Sequence, residues 1–147
     1  MPRFNFRLQG YLNLKSKMED QRKLEYGQAM SELERERTKL TLLETERAET
    51  LSAFREDIGK GVKPQSTNLY NSFLTWLKES INIQTEAVRK AEEEAERRRA
   101  ALAEAMKERK MLEILREKHY EEFMREQALA EQKTVDEIVS FRHGNRK

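Results

Sequence analysis

The chain has 147 residues, 38% of them charged, and its 29 basic and 27 acidic side chains leave a formal net charge of only +2. Interleaved charges of both signs give no electrostatic case for nucleic acid, the absence of cysteine excludes a disulfide scaffold and thiol chemistry, and no long apolar run marks a transmembrane helix. Apolar residues are too sparse for a thick core, yet Ala, Glu, Lys, Arg and Leu dominate and proline is nearly absent, which reads as long helix or coiled coil rather than disorder.

The N-terminal Met1-Pro2-Arg3-Phe4-Asn5-Phe6 lacks the apolar region of a secretory signal, so a cytoplasmic protein is expected. The first helix is predicted over residues 4–58. Its second half carries a heptad seam at Tyr26, Met30, Leu33, Arg37, Leu40, Glu44, Arg47, Leu51, Phe54 and Ile58, with steps alternating between three and four. Nearer the N-terminus the stripe drifts by one residue, to Phe4, Leu8, Tyr11 and Met18, which suggests a local change of winding.

Residues 59–67 form the one clear break. Gly59, Gly61 and Pro64, followed by Ser66-Thr67-Asn68, stop one helix, turn the chain and cap the next. The second helix is predicted over residues 68–141, followed by a basic tail at 142–147. Its seam is longer and more regular: Tyr70, Leu74, Leu77, Ile81, Gln84, Val88, Ala91, Ala95, Arg98, Leu102, Ala105, Arg109, Leu112. The alanines let two helices approach closely. Runs such as Glu92 to Arg99 read as a solvated face laced by i,i+4 ion pairs. The expected fold is all-α, with two long helices in an antiparallel coiled-coil hairpin, the second helix longer than the first.

Folding the arms about the turn pairs residues whose numbers sum to roughly 128, given equal rise per residue. Phe54 then faces Leu74, Leu40 faces Val88, Leu33 faces Ala95, Glu44 faces Gln84 and Glu19 faces Arg109. The arms are unequal, at roughly 80 and 110 Å for 1.5 Å per residue. Phe4 runs out opposite Phe123, and Met124 to Lys147 are left without an intrachain partner although they hold Leu129, Val135, Ile138, Val139 and Phe141. Such a helix frays or binds something else.

Beside the seam of the second helix lies another stripe, Leu69, Phe73, Trp76, Ser80, Ile83 and Ala87, which holds the only tryptophan. Three readings are open: a docking surface, a stripe covered by the turn residues Val62 and Pro64, or a contact between two hairpins. No catalytic set is present. The two histidines, His119 and His143, lie far apart without an acidic cluster at metal spacing, and Gly59-Lys60-Gly61 lacks the spacing of a phosphate loop. A non-enzymatic chain is expected, with no cofactor, no metal and no small-molecule substrate.

The pattern Phe4-x-Phe6-x-Leu8-Gln9-x-x-Leu12-x-Leu14-Lys15, then Glu19-Asp20 and Glu25-Tyr26, resembles the flagellar export protein FliJ of Gram-positive type. So do the run from Lys110 to Lys118, then Glu122-Phe123, and the late Glu131-Gln132-Lys133-x-x-Asp136-Glu137-Ile138. The Gly-x-Gly turn followed by Tyr70-x-x-Phe73-x-x-x-Leu77 is similar too. The resemblance spans the whole chain and implies a soluble component of the flagellar type III export apparatus, similar in shape to the rotary ATPase gamma stalk. It implies as partners the hexameric export ATPase, whose assembly it promotes, the cytoplasmic domain of the export gate protein FlhA, and export chaperones. The implied place is the cytoplasm, peripheral at the cytoplasmic face of the cell membrane at the flagellar base. Carried over by position, the gate-binding face comprises Leu43, Phe73, Leu77, Ser80 and Gln84, to which the stripe adds Trp76, with Lys39, Glu46 and Thr50 at the other aligned positions. The ATPase-binding end comprises Phe4, Leu8, Gln132, Lys133, Asp136 and Glu137. The alternatives are the equivalent stalk protein of a virulence-type injectisome and a purely structural, self-associating coiled coil.

Overall fold

The computed structural model describes residues 2–145. It contains two helices, α1 (Gln9–Gly59) and α2 (Pro64–Asn145), of 51 and 82 residues. The fold is all-α, and the two helices pack against each other with the second the longer, as the sequence predicts. The chain divides into two compact units, Met1–Gln21 with Ala103–Lys147, and Arg22–Leu102.

The Arg22–Leu102 unit contains the turn. The amides of Lys60 and Gly61 donate to the carbonyls of Asp57 and Ile58 at 3.1 and 3.2 Å, closing the end of α1. Gly61 has φ of 86°, a left-handed conformation that glycine adopts without the Cβ clash other residues suffer. The second helix starts four residues earlier than expected. Pro64 occupies its first turn, where its missing N–H costs nothing and its fixed φ suits the helix. The Lys63 carbonyl accepts from Ser66 and Thr67, so Ser66-Thr67-Asn68 lie inside α2 and do not cap it.

Every position of the predicted α2 seam from Tyr70 to Leu112 is buried or half-buried. In this unit Leu33, Val88 and Ala95 form the buried cluster, with Ala29, Leu40 and Ala91 packed against it. Leu77 is fully buried. The α1 seam departs from expectation in phase. Ala29, Glu36, Leu43 and Asp57 turn inward, whereas Met30, Arg37, Glu44 and Ile58 are exposed. Both patterns share Leu33, Leu40 and Phe54, and what α2 presents selects between them. Gln84 Nε2 donates to the Glu36 backbone carbonyl at 2.9 Å and also to its carboxylate, so Glu36 takes the place expected of Glu44. Phe54 meets Tyr70, with ring centroids 4.8 Å apart.

In the other unit the polypeptide before Gln9 is not helical, contrary to a start at Phe4. In an extended segment, residues two apart share a side. Phe6 is buried with its ring edge-on to His119 at 5.6 Å, and Phe4 lies 5.3 Å from Tyr120 and 5.6 Å from Phe123. Burying two aromatic rings outweighs one more frayed helical turn. The expected meeting of Phe4 and Phe123 is present. Leu12 is buried and Tyr11 is 49% exposed, so Leu12 replaces Tyr11 on the inner stripe.

Polar clasps continue this unit. Glu19, buried at 4% exposure, accepts from Arg109 Nε, the pairing read from the sequence. Arg109 also reaches Glu113 at 2.6 Å, and the two carboxylates raise the guanidinium pKa further above its usual value. Lys15 bridges to Glu108 at 2.8 Å, and Arg116 Nε donates to Gln9 Oε1 at 2.9 Å.

Beyond Phe123 every described residue except Gln127 is exposed. The second helix does not stop at Phe141 but runs through Gly144 to Asn145. One glycine costs a helix only about 1 kcal/mol, and Arg142 and His143 in the last turn suit the negative end of the helix dipole. Residues 146 and 147 of the expected basic tail lie outside the described residues. Among the described residues no helix is long and apolar enough to cross a membrane.

Candidate functional site

Two surfaces carry the residues singled out in the sequence, one in each unit. In the Arg22–Leu102 unit the stripe beside the seam is open. Leu69 and Ile83 are 72% exposed and Trp76 is 54% exposed, so Val62 and Pro64 do not cover them. Trp76 stacks on Phe73 with the ring planes 14° apart and the centroids at 5.8 Å. Stacking restricts both side chains before any partner arrives, which lowers the entropic cost of docking.

The six gate-face candidates separate by depth. Phe73 and Trp76 present their rings to solvent, and Ser80 is half-buried. Leu77 has no exposed surface and can serve this face only by packing beneath it. Leu43 is half-buried in the α1 seam. Gln84 is committed to Glu36, and its amide holds the Glu36 carboxyl below the usual carboxylate range. The gate face implied by the resemblance thus joins one surface residue, Phe73, and one core residue, Leu77, as their separate stripes on α2 predict.

The sequence reading aligned Glu46, Thr50 and Phe73 with the gate face but missed the neighbouring groove that they line. Its floor is Leu69, Tyr70 and Phe73 of α2, and its far side is the α1 face carrying Glu46, Glu49, Thr50 and Asp57. It is open and encloses about 600 Å³. Asp57 accepts a hydrogen bond from the Tyr70 hydroxyl, and this bond raises the Tyr70 pKa. The signal was present as three acids at helical spacing. It could not be read without the true phase of α1, which turns Asp57 rather than Ile58 toward α2.

In the other unit Phe4 and Leu8 are half-buried. Phe4 is held by Tyr120 and Phe123, with the Arg116 guanidinium 5.6 Å from its ring centroid. Gln132, Lys133, Asp136 and Glu137 are all exposed on bare helix, and Gln132 Nε2 donates to Asp136 Oδ1 at 3.1 Å. Around them Leu129, Val135, Ile138, Val139 and Phe141 are between 50% and 71% exposed. A shallow concavity on this helix is lined by Thr134, Glu137, Ile138, Phe141, Arg142 and Asn145. Neither surface assembles a nucleophile, base and orienting group. Among the described residues no group of three or more His, Asp or Glu side chains could hold a metal ion.

No curated protein matches the sequence. Among solved structures, the chain is similar to CT670 of Chlamydia trachomatis, described as a candidate YscO homolog. The TM-score is 0.71 at 24% identity, over 99% of this chain and 98% of that one. The likeness at this identity concerns the fold. Residues 4–147 match the flagellar FliJ protein family. The chain therefore belongs to the flagellar FliJ protein family.

Proposed function

We propose that this chain is a non-enzymatic stalk of the flagellar type III export apparatus. It binds the export ATPase hexamer, favours its assembled ring, and links it to the cytoplasmic domain of the export gate protein FlhA. The family match over residues 4–147 carries this reading, and the exposed apolar helix after Phe123 supports it. A helix that keeps Val135, Ile138, Val139 and Phe141 in water gains on entering a complementary site, at roughly 25 cal/mol per Å² of apolar surface removed from solvent. The ATPase contacts are Phe4, Leu8, Gln132, Lys133, Asp136 and Glu137. The gate contacts are Phe73 and Trp76, supported from beneath by Leu43, Leu77, Ser80 and Gln84. Escort of export chaperones and a peripheral place at the cytoplasmic face of the membrane belong to the same proposal. The shared fold with a candidate YscO homolog keeps an injectisome counterpart as the second reading.

Ring formation and ATP turnover by purified export ATPase, with and without this chain, test the ATPase link. Both are expected to rise, and no change in either would refute it. For the gate link, Phe73→Ala with Trp76→Ala should abolish capture of the FlhA cytoplasmic domain while circular dichroism stays unchanged. Undiminished capture would assign the stripe no part in gate binding.

A further inference from the structure

We infer that the groove between Glu46, Glu49 and Asp57 on α1 and Leu69, Tyr70 and Phe73 on α2 receives a basic amphipathic helix of a partner protein. The inference deepens the proposed gate-side docking face by naming the charge and shape of what binds there.

Three features of the groove define the occupant. Its floor is apolar and exposed, with Leu69 72% and Phe73 37% accessible, so it suits aliphatic or aromatic anchors. Its α1 side is acidic, and no Lys or Arg lines it. Its length on α1, from Glu46 to Asp57, corresponds to about three helical turns, the reach of anchors at i, i+3, i+4 and i+7.

Charge complementarity fixes the sign. Several acids of the same unit are paired: Glu36 with Lys39, Glu92 with Arg37, Glu94 with Arg97 and Arg98, and Glu96 with Arg99. Neither Glu46 nor Glu49 has a cationic side chain within 4 Å among the described residues. Two adjacent unpaired carboxylates on the wall of an apolar groove repel an acidic partner and attract Lys or Arg heads. The aliphatic stems of such residues can lie along the floor while their charged ends meet the wall.

The only tryptophan makes the test direct. Trp76 stacks on Phe73, which lines the groove, so its emission reports occupancy. The full chain is titrated with a synthetic peptide carrying Leu at i, i+3, i+4 and i+7 and Lys on its polar face. A counterpart with Glu in place of Lys is titrated in parallel. The Lys peptide is expected to shift Trp76 emission saturably and the Glu peptide to leave it unchanged. Glu46→Gln with Glu49→Gln should weaken the Lys peptide about fivefold and flatten its salt dependence, the loss of two half-screened charge contacts. The control Glu121→Gln with Glu122→Gln should change neither. Equal binding of both peptides, or no effect of the groove variant, overturns the inference. A Trp76 shift that depends on protein concentration without peptide also overturns it, because the groove would then be filled by a second copy.

The FlhA cytoplasmic domain is titrated under the same conditions. If it binds and Glu46→Gln with Glu49→Gln leaves its affinity unchanged, the gate reading stands and the inference fails. If it does not bind while the Lys peptide does, the inference stands and the gate reading fails.

Discussion

The two compact units solve the same packing problem with different chemistry. In Arg22–Leu102 the helices meet through Leu33, Val88 and Ala95, with Ala29 and Ala91 beside them. Small side chains let the backbones approach there, and polar pairs such as Gln84 with Glu36 and Arg98 with Glu25 flank the apolar cluster. In Met1–Gln21 with Ala103–Lys147 the inner positions include the ion pair of Glu19 and Arg109, and the aromatic group of Phe4, Phe6, His119, Tyr120 and Phe123. Apolar contacts stabilise many registers of two helices almost equally, because they are non-directional. A buried carboxylate bonded to a guanidinium on the other helix does not, since any slip takes that guanidinium out of reach. In both units, then, apolar contacts supply stability and polar pairs such as Glu19 with Arg109 and Gln84 with Glu36 supply register.

The largest expected effect is in the apolar unit. Leu77→Ala removes the one large side chain with no exposure among the described residues and should cost about 2–4 kcal/mol, read by thermal or denaturant unfolding. Phe73→Ala, one turn away and partly exposed, should cost clearly less. Equal losses would mean that Phe73 is as structural as Leu77.

Next comes the ion pair. Glu19→Ala should destabilise by about 1–3 kcal/mol, with Arg109 keeping Glu113. Glu19→Leu combined with Arg109→Met should recover most of that loss, because an apolar pair leaves no charge unpaired. A double variant as unstable as the single one would show that the pair supplies stability and not only register.

Deleting residues 124–147 should cost below about 1 kcal/mol, because nothing described in the chain covers that part of α2 beyond Gln127. Helical circular dichroism should fall with the residues removed, while the unfolding midpoint barely moves. A drop comparable to that of Leu77→Ala would mean that this helix is part of the folding unit.

The smallest effect is in pH. The Gln84 amide, chiefly, lowers the Glu36 carboxyl pKa in the folded chain. The unfolded state therefore binds the proton more readily, so this contribution is present above the ordinary Glu pKa of about 4.3 and is lost as pH falls through the lower folded value. Gln84→Ala should make the acid limb of the stability curve shallower and leave neutral pH affected only by the lost hydrogen bond. An acid limb unchanged by the substitution would remove Gln84 as its cause.

The sequence alone determined the two-helix architecture. Gly59, Gly61 and Pro64 stand where no other helix breaker does, and Ala and Leu recur along α2 at a spacing that only a helix turns to one side. It also determined the meetings of Glu19 with Arg109 and of Phe4 with Phe123, because equal rise along two antiparallel helices converts residue numbers into neighbours. The phase of α1 was decided by tertiary structure. Steps of three-then-four and four-then-three both pass through Leu33 and Leu40, so periodicity could not choose between Glu36 and Arg37, Leu43 and Glu44, or Asp57 and Ile58. The Gln84 amide opposite Glu36 and the Tyr70 hydroxyl opposite Asp57 made that choice. With it came the commitment of Gln84 to Glu36 and the acidic groove beside the turn. Those features depend on which side chain a second helix brings within hydrogen-bonding distance, a relation between chain segments distant in sequence that local spacing does not encode.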